Sequence, residues 1–591
     1  MRIFLCYLPT LLILTCSANN EKKYTMDTIQ QIAIPFEQDD DRTATYQEAI
    51  AFYEQVAQQS PSFELRQYGS TDSGYPLHLG ILSMDKDFDP VSIQSKGKQI
   101  LMVNNAIHPG EPCGVEASML IIKDYLTKPE LHKYLDSTVI IFVPIYNIGG
   151  ALNRNSMTRA NQNGPASYGF RGNAKNLDLN RDFIKCDAKN AQTFNQIYTE
   201  WQPAIFIDNH TSNGADYQYT MTLISTQHNR LDPNLATFMN STLLPRLFAD
   251  MKTGGWEMTP YVYARSTPED GISGFLDLAR YSSGYASLFN TISFMPETHM
   301  LKPFKDRVQS TYQFMDCMIK TMHEERSALQ TARQKAIQNT INKTTFDLNW
   351  EMDKTKEEKI LFKGYEAKYK PSEVSGLDRL YYDRNASYEK EIPFYNTYKA
   401  SLRIEKPIAY IIPQAYSHVI ERLKWNGVAM KQLKEDQEIE VALYRIGDFK
   451  NQDAYEGHYL HRETQVEKIT KSWPYHKGDY VIYVNQATNR YIVETLEPQA
   501  PDSFFSWNFF DGILMQKEYF SAYVFEDLAT KYLQEDADLK AKFEKRKQED
   551  EDFSKNAKAQ LVFIYENSKH YEYTHRIYPV GRLVKDVSLA L

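Results

Sequence analysis

Two residues that bind metals well, His108 and Glu111, stand three apart across the turn dipeptide Pro109-Gly110. Imidazole nitrogen and carboxylate oxygen are both ready zinc ligands, and catalytic zinc sites commonly combine two histidines with one glutamate. Taken alone, a His-x-x-Glu pair is more often a polar surface turn than a metal site. Three later segments bear on it. Phe206-Ile207-Asp208-Asn209-His210-Thr211 is an apolar strand ending in a second imidazole. Asn176-Leu177-Asp178-Leu179-Asn180-Arg181-Asp182-Phe183 packs acid, amide and guanidinium together. That mixture suits carboxylate recognition, because arginine pairs with carboxylates in bidentate fashion. Phe294-Met295-Pro296-Glu297-Thr298-His299 places an acid just after an apolar strand. Each segment has an ordinary explanation: a structural histidine, a polar loop of local ion pairs, a salt-bridged acid.

A scaffold for these residues follows from hydrophobic periodicity. Ile100 to Val103 is an apolar run short enough for a buried strand. Val115, Met119, Ile122, Tyr125 and Leu126 then fall near the 3.6-residue period of an amphipathic helix. His108 and Glu111 therefore sit on a strand–turn–helix junction. In α/β proteins such junctions gather at the carboxyl ends of the strands, where ligands bind. Leu77–Leu82 reads as a further strand, and Thr138–Ile145, Ala204–Ile207 and Ile292–Met295 as strands whose apolar runs are typical of burial on both faces. Tyr46–Ala57 has helical spacing, and Val308, Tyr312, Met315, Ile319 and Met322 form the stripe of a long closing helix. The expected fold class is α/β, a mixed and largely parallel sheet flanked by helices.

At 591 residues the chain exceeds one ordinary core. The expected division is a signal segment over 1–18, a polar lead-in over 19–45 and an α/β domain over 46–330. A charged linker over 331–358 and a β-rich accessory region over 359–591 follow. In that last region Tyr410–Ile412, Tyr480–Val484, Tyr491–Val493 and Leu561–Tyr565 read as strands, and 485–489 as a hairpin loop. Glu526–Asp552 reads as a charge-rich surface helix, and the aromatic run Phe504–Phe510 as core rather than a ligand-binding face.

Met1-Arg2 followed by the apolar Ile3–Leu14 is an export-signal pattern, too short to span a membrane. It ends either at a lipobox, Ile13-Leu14-Thr15-Cys16, or at a cut after Ala18; the lipobox is favoured. Lipidation at Cys16 would attach the protein to a membrane. Either ending implies export: a periplasmic or cell-envelope lipoprotein, otherwise a secreted protein. The net charge of -9 offers no basic surface and argues against nucleic acid as a partner. Cys113, Cys186 and Cys317 give neither a disulfide framework nor zinc-finger spacing.

Jointly and in this order, the His-x-x-Glu pair, the Asp-x-Asn-Arg run, the strand-end histidine and the late strand-end glutamate resemble the zinc carboxypeptidase family, the carboxypeptidase A-like metallopeptidases. The resemblance covers residues 100 to 300 and makes 46–330 the catalytic domain. It implies one zinc ion held by His108, Glu111 and His210, with Asp178 orienting the first histidine. It implies that Asn180 and Arg181 grip the substrate's terminal carboxylate and that Glu297 is the general base. Arg159, in Met157-Thr158-Arg159-Ala160-Asn161, matches the arginine that polarises the scissile carbonyl, with Arg171 as competitor. The tyrosine that caps the substrate is Tyr285 or Tyr281, the former preferred. Gly110 departs from the digestive members, which carry an extra arginine there, and His-Pro-Gly-Glu is similar instead to the cytosolic relatives.

The implied function is a zinc metallocarboxypeptidase that hydrolyses a peptide or amide bond near the free C-terminal carboxylate of a peptide. Glu297 would take the proton of the zinc-activated water and pass it to the leaving amine. Cell-wall stem-peptide hydrolysis and amide deacylation are variants on the same fold. A non-catalytic peptide- or glycan-binding envelope protein is the reading from another class; the full set of ligands and the glutamate speak against it.

Overall fold

The computed structural model describes residues 26–264 and 266–591. The export signal, Cys16 and the alternative cut after Ala18 lie outside the described residues. Among the described residues no helix is long and apolar enough to cross a membrane.

Nine strands form the central sheet: β1 (Phe63–Ser70), β2 (Pro76–Leu82), β3 (Gln99–Asn104), β4 (Thr138–Val143), β5 (Ile205–Asp208), β6 (His210–Ser212), β7 (Met221–Ser225), β8 (Met258–Pro260) and β10 (Ile292–His299). The two-residue β9 (Ile272–Ser273) pairs outside it. The order is β1–β2–β4–β3–β5–β10–β7–β8, with β6 also on β10. β4, β3, β5 and β10 run parallel at the centre, and β2 and β7 flank them antiparallel. Strand alternation splits the core into two layers. Leu101, Val103, Ile140 and Phe142 face the helices Cys113–Thr127 and Phe304–Glu324. Ile100, Met102, Val139 and Ile141 face the helix Lys189–Trp201. The sheet is therefore covered on both sides, which is why its central strands read as continuous apolar runs.

The stretch expected as a linker over 331–358 is regular structure instead. Arg326–Asn342 is a helix whose Leu329, Ala332, Ala336 and Thr340 are buried at helical spacing. That stripe of mostly small residues is masked by the surrounding charge. Thr345–Met352 then pairs antiparallel with Tyr398–Glu405.

The C-terminal region is β-rich. It holds a long hairpin, Glu358–Pro371 with Asp378–Tyr395, and a six-stranded sheet built from Ala409–Ile412, Lys431–Gln432, Gln437–Ile446, Val466–Tyr475, Tyr480–Tyr483 and Gly581–Leu583. Two expected strands are helices: Tyr491–Val493 lies in Asn489–Leu496, and Leu561–Tyr565 in Ala557–Glu566. Residues 485–489 accordingly lead into a helix rather than a hairpin. Short apolar runs carry no decisive period, so packing decides. Phe504, Phe505, Trp507 and Phe510 are core. The charge-rich stretch is three helices, Ala522–Glu535, Ala537–Glu549 and Glu551–Ser554.

Candidate metal centre and active site

After β3 the chain turns through His108 and Glu111 into the helix Cys113–Thr127, and both side chains are buried. The next strand of the sheet, β5, leads directly into β6 and delivers His210 to the same place. The Glu111 carboxylate lies between the two rings, Oε1 3.3 Å from His108 Nδ1 and Oε2 3.2 Å from His210 Nδ1. The far nitrogens are already engaged: His108 Nε2 is 2.9 Å from Asp178 Oδ1, and His210 Nε2 is 2.9 Å from Asp208 Oδ2. Carboxylates at those positions fix each ring with its proton outward and its lone pair inward. His108 Nδ1 is buried without a hydrogen-bond partner. Ligand atoms of the three residues all lie within 4.8 Å of one another. Two imidazole nitrogens and a carboxylate oxygen at that spacing are a donor set that fits zinc.

These residues open onto a cavity of about 460 Å³ that Arg159, Arg171, Asn180, Arg181, Tyr281 and Glu297 also line. Glu297 stands on β10 in register with His210 on β6. Asn180 and Arg181 follow Asp178 in a short turn; Asn180 Oδ1 accepts from Ser282 N–H at 3.0 Å, and the Arg181 guanidinium lies 4.6 Å from the centre of the Tyr281 ring. Ile224 and Met295, paired between β7 and β10, join Phe275 in an apolar patch of the same wall.

A model of the family described as zinc carboxypeptidase matches residues 49–356, more than half of the chain. The chain belongs to the zinc carboxypeptidase family. It is 20% identical to Carboxypeptidase 2 of Trichophyton equinum over 434 residues, which cover 70% of this chain and 74% of that one. Carboxypeptidase 2 of Trichophyton rubrum is 20% identical over the same shares. Among solved structures, a metallo-carboxypeptidase from Burkholderia cenocepacia is 15% identical with a TM-score of 0.36, covering 48% of this chain and 70% of that one. Carboxypeptidase A from Helicoverpa armigera is 13% identical with a TM-score of 0.37, covering 50% and 75%. This zinc carboxypeptidase is thus a hydrolase acting on peptides, with zinc as its cofactor and His108, Glu111 and His210 as the residues that can hold the ion.

Electrostatics divide the two glutamates of the enzyme's site. Burial opposes ionisation of Glu111, but the His108 ring and the Arg159 guanidinium hold its carboxyl well below the usual range. Burial pushes Glu297 up to about 7, against the pull of His210 and with the help of the Glu111 charge. Asp178 also stays far below the ordinary carboxylate range: burial would raise it, and His108, Arg171 and Arg181 outweigh burial.

Two arginines and two tyrosines needed the structure to be told apart. Arg159 Nη1 donates to Glu111 Oε1 at 2.9 Å and its Nε to Gln162 Oε1 at 2.6 Å. It lies over Gly110, where a Cβ would come within 2.6 Å of Arg159 Cδ. Arg171 donates through Nε to Asp178 Oδ2 at 2.9 Å and reaches Glu111 Oε1 at 3.4 Å. Tyr285, the preferred capping tyrosine, does not line the cavity. It is fully buried in the core, and its hydroxyl donates to Asn426 Oδ1 at 2.7 Å. Tyr281 lines the cavity instead. The reason is position relative to the helix: Tyr281 precedes Ser282–Ser287 in extended backbone, while Tyr285 sits inside it facing Phe183 and Tyr198. Asp208 escaped sequence reading, although its place two residues before His210 was the available clue.

Proposed function

We propose that this zinc carboxypeptidase removes the C-terminal residue of peptides that end in a free carboxylate and an apolar side chain, with Glu297 as the proton carrier. The observation that carries the reading is the single cavity shared by the His108–Glu111–His210 cluster, Glu297, Asn180, Arg181 and the apolar patch of Ile224, Phe275 and Met295. Zinc, when bound, supplies Lewis acidity and lowers the pKa of a water toward about 7. Glu297 takes a proton from the attacking water and returns it to the leaving amine as the scissile C–N bond breaks. The Arg181 fork and the Asn180 amide hold the terminal carboxylate, which fixes the scissile bond near the metal-binding residues. Arg171 donates to the developing oxyanion, while Arg159 braces Glu111. Strand alternation puts Met295 and Glu297 on one face of β10, so the apolar patch lies beside the proton carrier.

The test is a peptide mixture with free and amidated C-termini, given to the wild type and to Glu297→Gln, with a chelator control. Expected is trimming of free-ended peptides, apolar terminal residues first, halted by the chelator. Glu297→Gln should keep its zinc and lose turnover. Equal trimming of amidated peptides, or full turnover in the variant, would remove the reading.

A further inference from the structure

The C-terminal region, beyond the residues matched by the family, reaches the active site at one tight turn. Tyr455 N–H donates to His458 O at 2.8 Å and His458 N–H to Tyr455 O at 3.0 Å. At its tip Glu456 and Gly457 have φ of 51° and 85°. A glutamate in the left-handed region is uncommon. Its carboxylate gives the placement a reason, because Glu456 Oε2 accepts from the Asp178 backbone N–H at 2.8 Å. Asp178 is the acid that holds His108 Nε2. Beside it Tyr455 lies against the Arg280 guanidinium, 5.7 Å from the ring centre. His458 ties the turn to the catalytic domain, Nε2 to Asp187 Oδ2 at 2.7 Å. Glu456 also borders a cavity of about 360 Å³ that shares Thr158, Arg159 and Arg171 with the metal-facing one. Shortening its side chain therefore opens existing space rather than cutting into a packed core.

We propose that Glu456 is a positioning residue of the active site. Glu456 holds Asp178, and through it the His108 ring. The inference rests on the reading of His108 as a metal ligand. It places one part of the site in a region outside the family match.

The experiment compares full-length Glu456→Ala and Glu456→Gln with the wild type. In chelator competition Glu456→Ala should weaken zinc binding roughly ten-fold, the low end for groups that orient metal ligands. Glu456→Gln should restore it, since its amide oxygen accepts the same N–H. Both should melt with the wild type. Wild-type zinc affinity in Glu456→Ala, or no rescue by Glu456→Gln, would overturn the proposal. If the alanine variant does not fold, Glu456→Asp, with its shorter reach, takes its place under the same criteria. Either failure leaves wild-type trimming intact, whereas loss of that trimming would strike the proposed function instead.

Discussion

Arg159 and Arg171 reach the same oxygen of Glu111, yet the two guanidiniums are held differently. The Arg159 side chain is 15% exposed and committed to Glu111, Gln162 and the Thr211 carbonyl. The Arg171 side chain is 44% exposed, with one edge on Asp178 and the other facing the cavity. The first arrangement holds a ligand; the second is free to meet a substrate. Arg171→Ala is therefore expected to lower kcat by about 10²–10³, the loss typical of one oxyanion donor, with zinc retained. Arg159→Ala should instead lose zinc, because Glu111 loses a cation that holds it ionised. Metal analysis beside turnover separates the two, and the reverse pattern would exchange the roles. The sequence singled out His108, Glu111, His210 and Glu297 by residue type and strand-end position, and Asp178 through the family resemblance. It could not rank two arginines on one irregular loop, where no period fixes direction.

At the scale of elements, close approaches decide what substitution can do. In the helix Ser282–Ser287 a Cβ on Gly284 would lie 2.0 Å from Leu278 O and 2.3 Å from Asp277 O, both backbone atoms that cannot swing aside. Gly284→Ala should cost on the order of 1–3 kcal/mol of stability by overpacking. It should also raise KM, since the same helix start gives Ser282 N–H to Asn180. Thermal melting and steady-state kinetics check both, and a variant that melts with the wild type would show the helix free to move.

A second element-level case is the helix Cys113–Thr127. Its Glu116 accepts from Thr43 Oγ1 at 2.8 Å and Ala44 N–H at 2.7 Å, pinning the lead-in to this helix. Burial pushes this carboxyl from 4.5 up to about 7. The folded state thus binds the proton more tightly than the unfolded chain. The associated stability is fully present below 4.5 and is lost as pH rises through about 7. The change amounts to roughly 3 kcal/mol. Unfolding free energies across that window should fall for the wild type and flatten for Glu116→Gln; parallel slopes would exclude Glu116 as the source.

At the scale of the whole molecule, the sequence suggested two bodies joined by a linker, and packing joins them into one. The central sheet was legible because strands buried on both faces are unbroken apolar runs. The boundary was not, since the buried stripe of Arg326–Asn342 uses mostly small residues inside a charged stretch. Nor does a sequence report which face of a distant strand meets the catalytic layer. In the six-stranded sheet, Tyr410, Ile412, Tyr444 and Ile446 enter the apolar cluster that contains Leu179, Phe183 and Tyr285. Their neighbours Ala409, Ile411 and Leu443 turn to a separate cluster on the other side. Ionic contacts cross the same boundary: Arg280 with Asp502 at 2.8 Å and Arg230 with Glu494 at 2.9 Å, all with side chains almost wholly buried. Breaking such a pair leaves a buried charge uncompensated, a loss of several kcal/mol.

The consequence is a prediction about cooperativity. The catalytic domain cut after Asn342 would expose the Leu179–Phe183–Tyr285 cluster, leave Arg280 without Asp502 and take Glu494 from Arg230. It should be insoluble or unfolded when expressed alone. In the full chain, loss of activity and loss of the main tertiary signal should coincide in one thermal transition. The helices from Ala522 to Glu566 have a small apolar cluster of their own and are the part able to melt apart from it. A soluble, active fragment ending near residue 342 would show that the shared cluster does not hold the site. Coincident loss would make the C-terminal region a structural half of the enzyme.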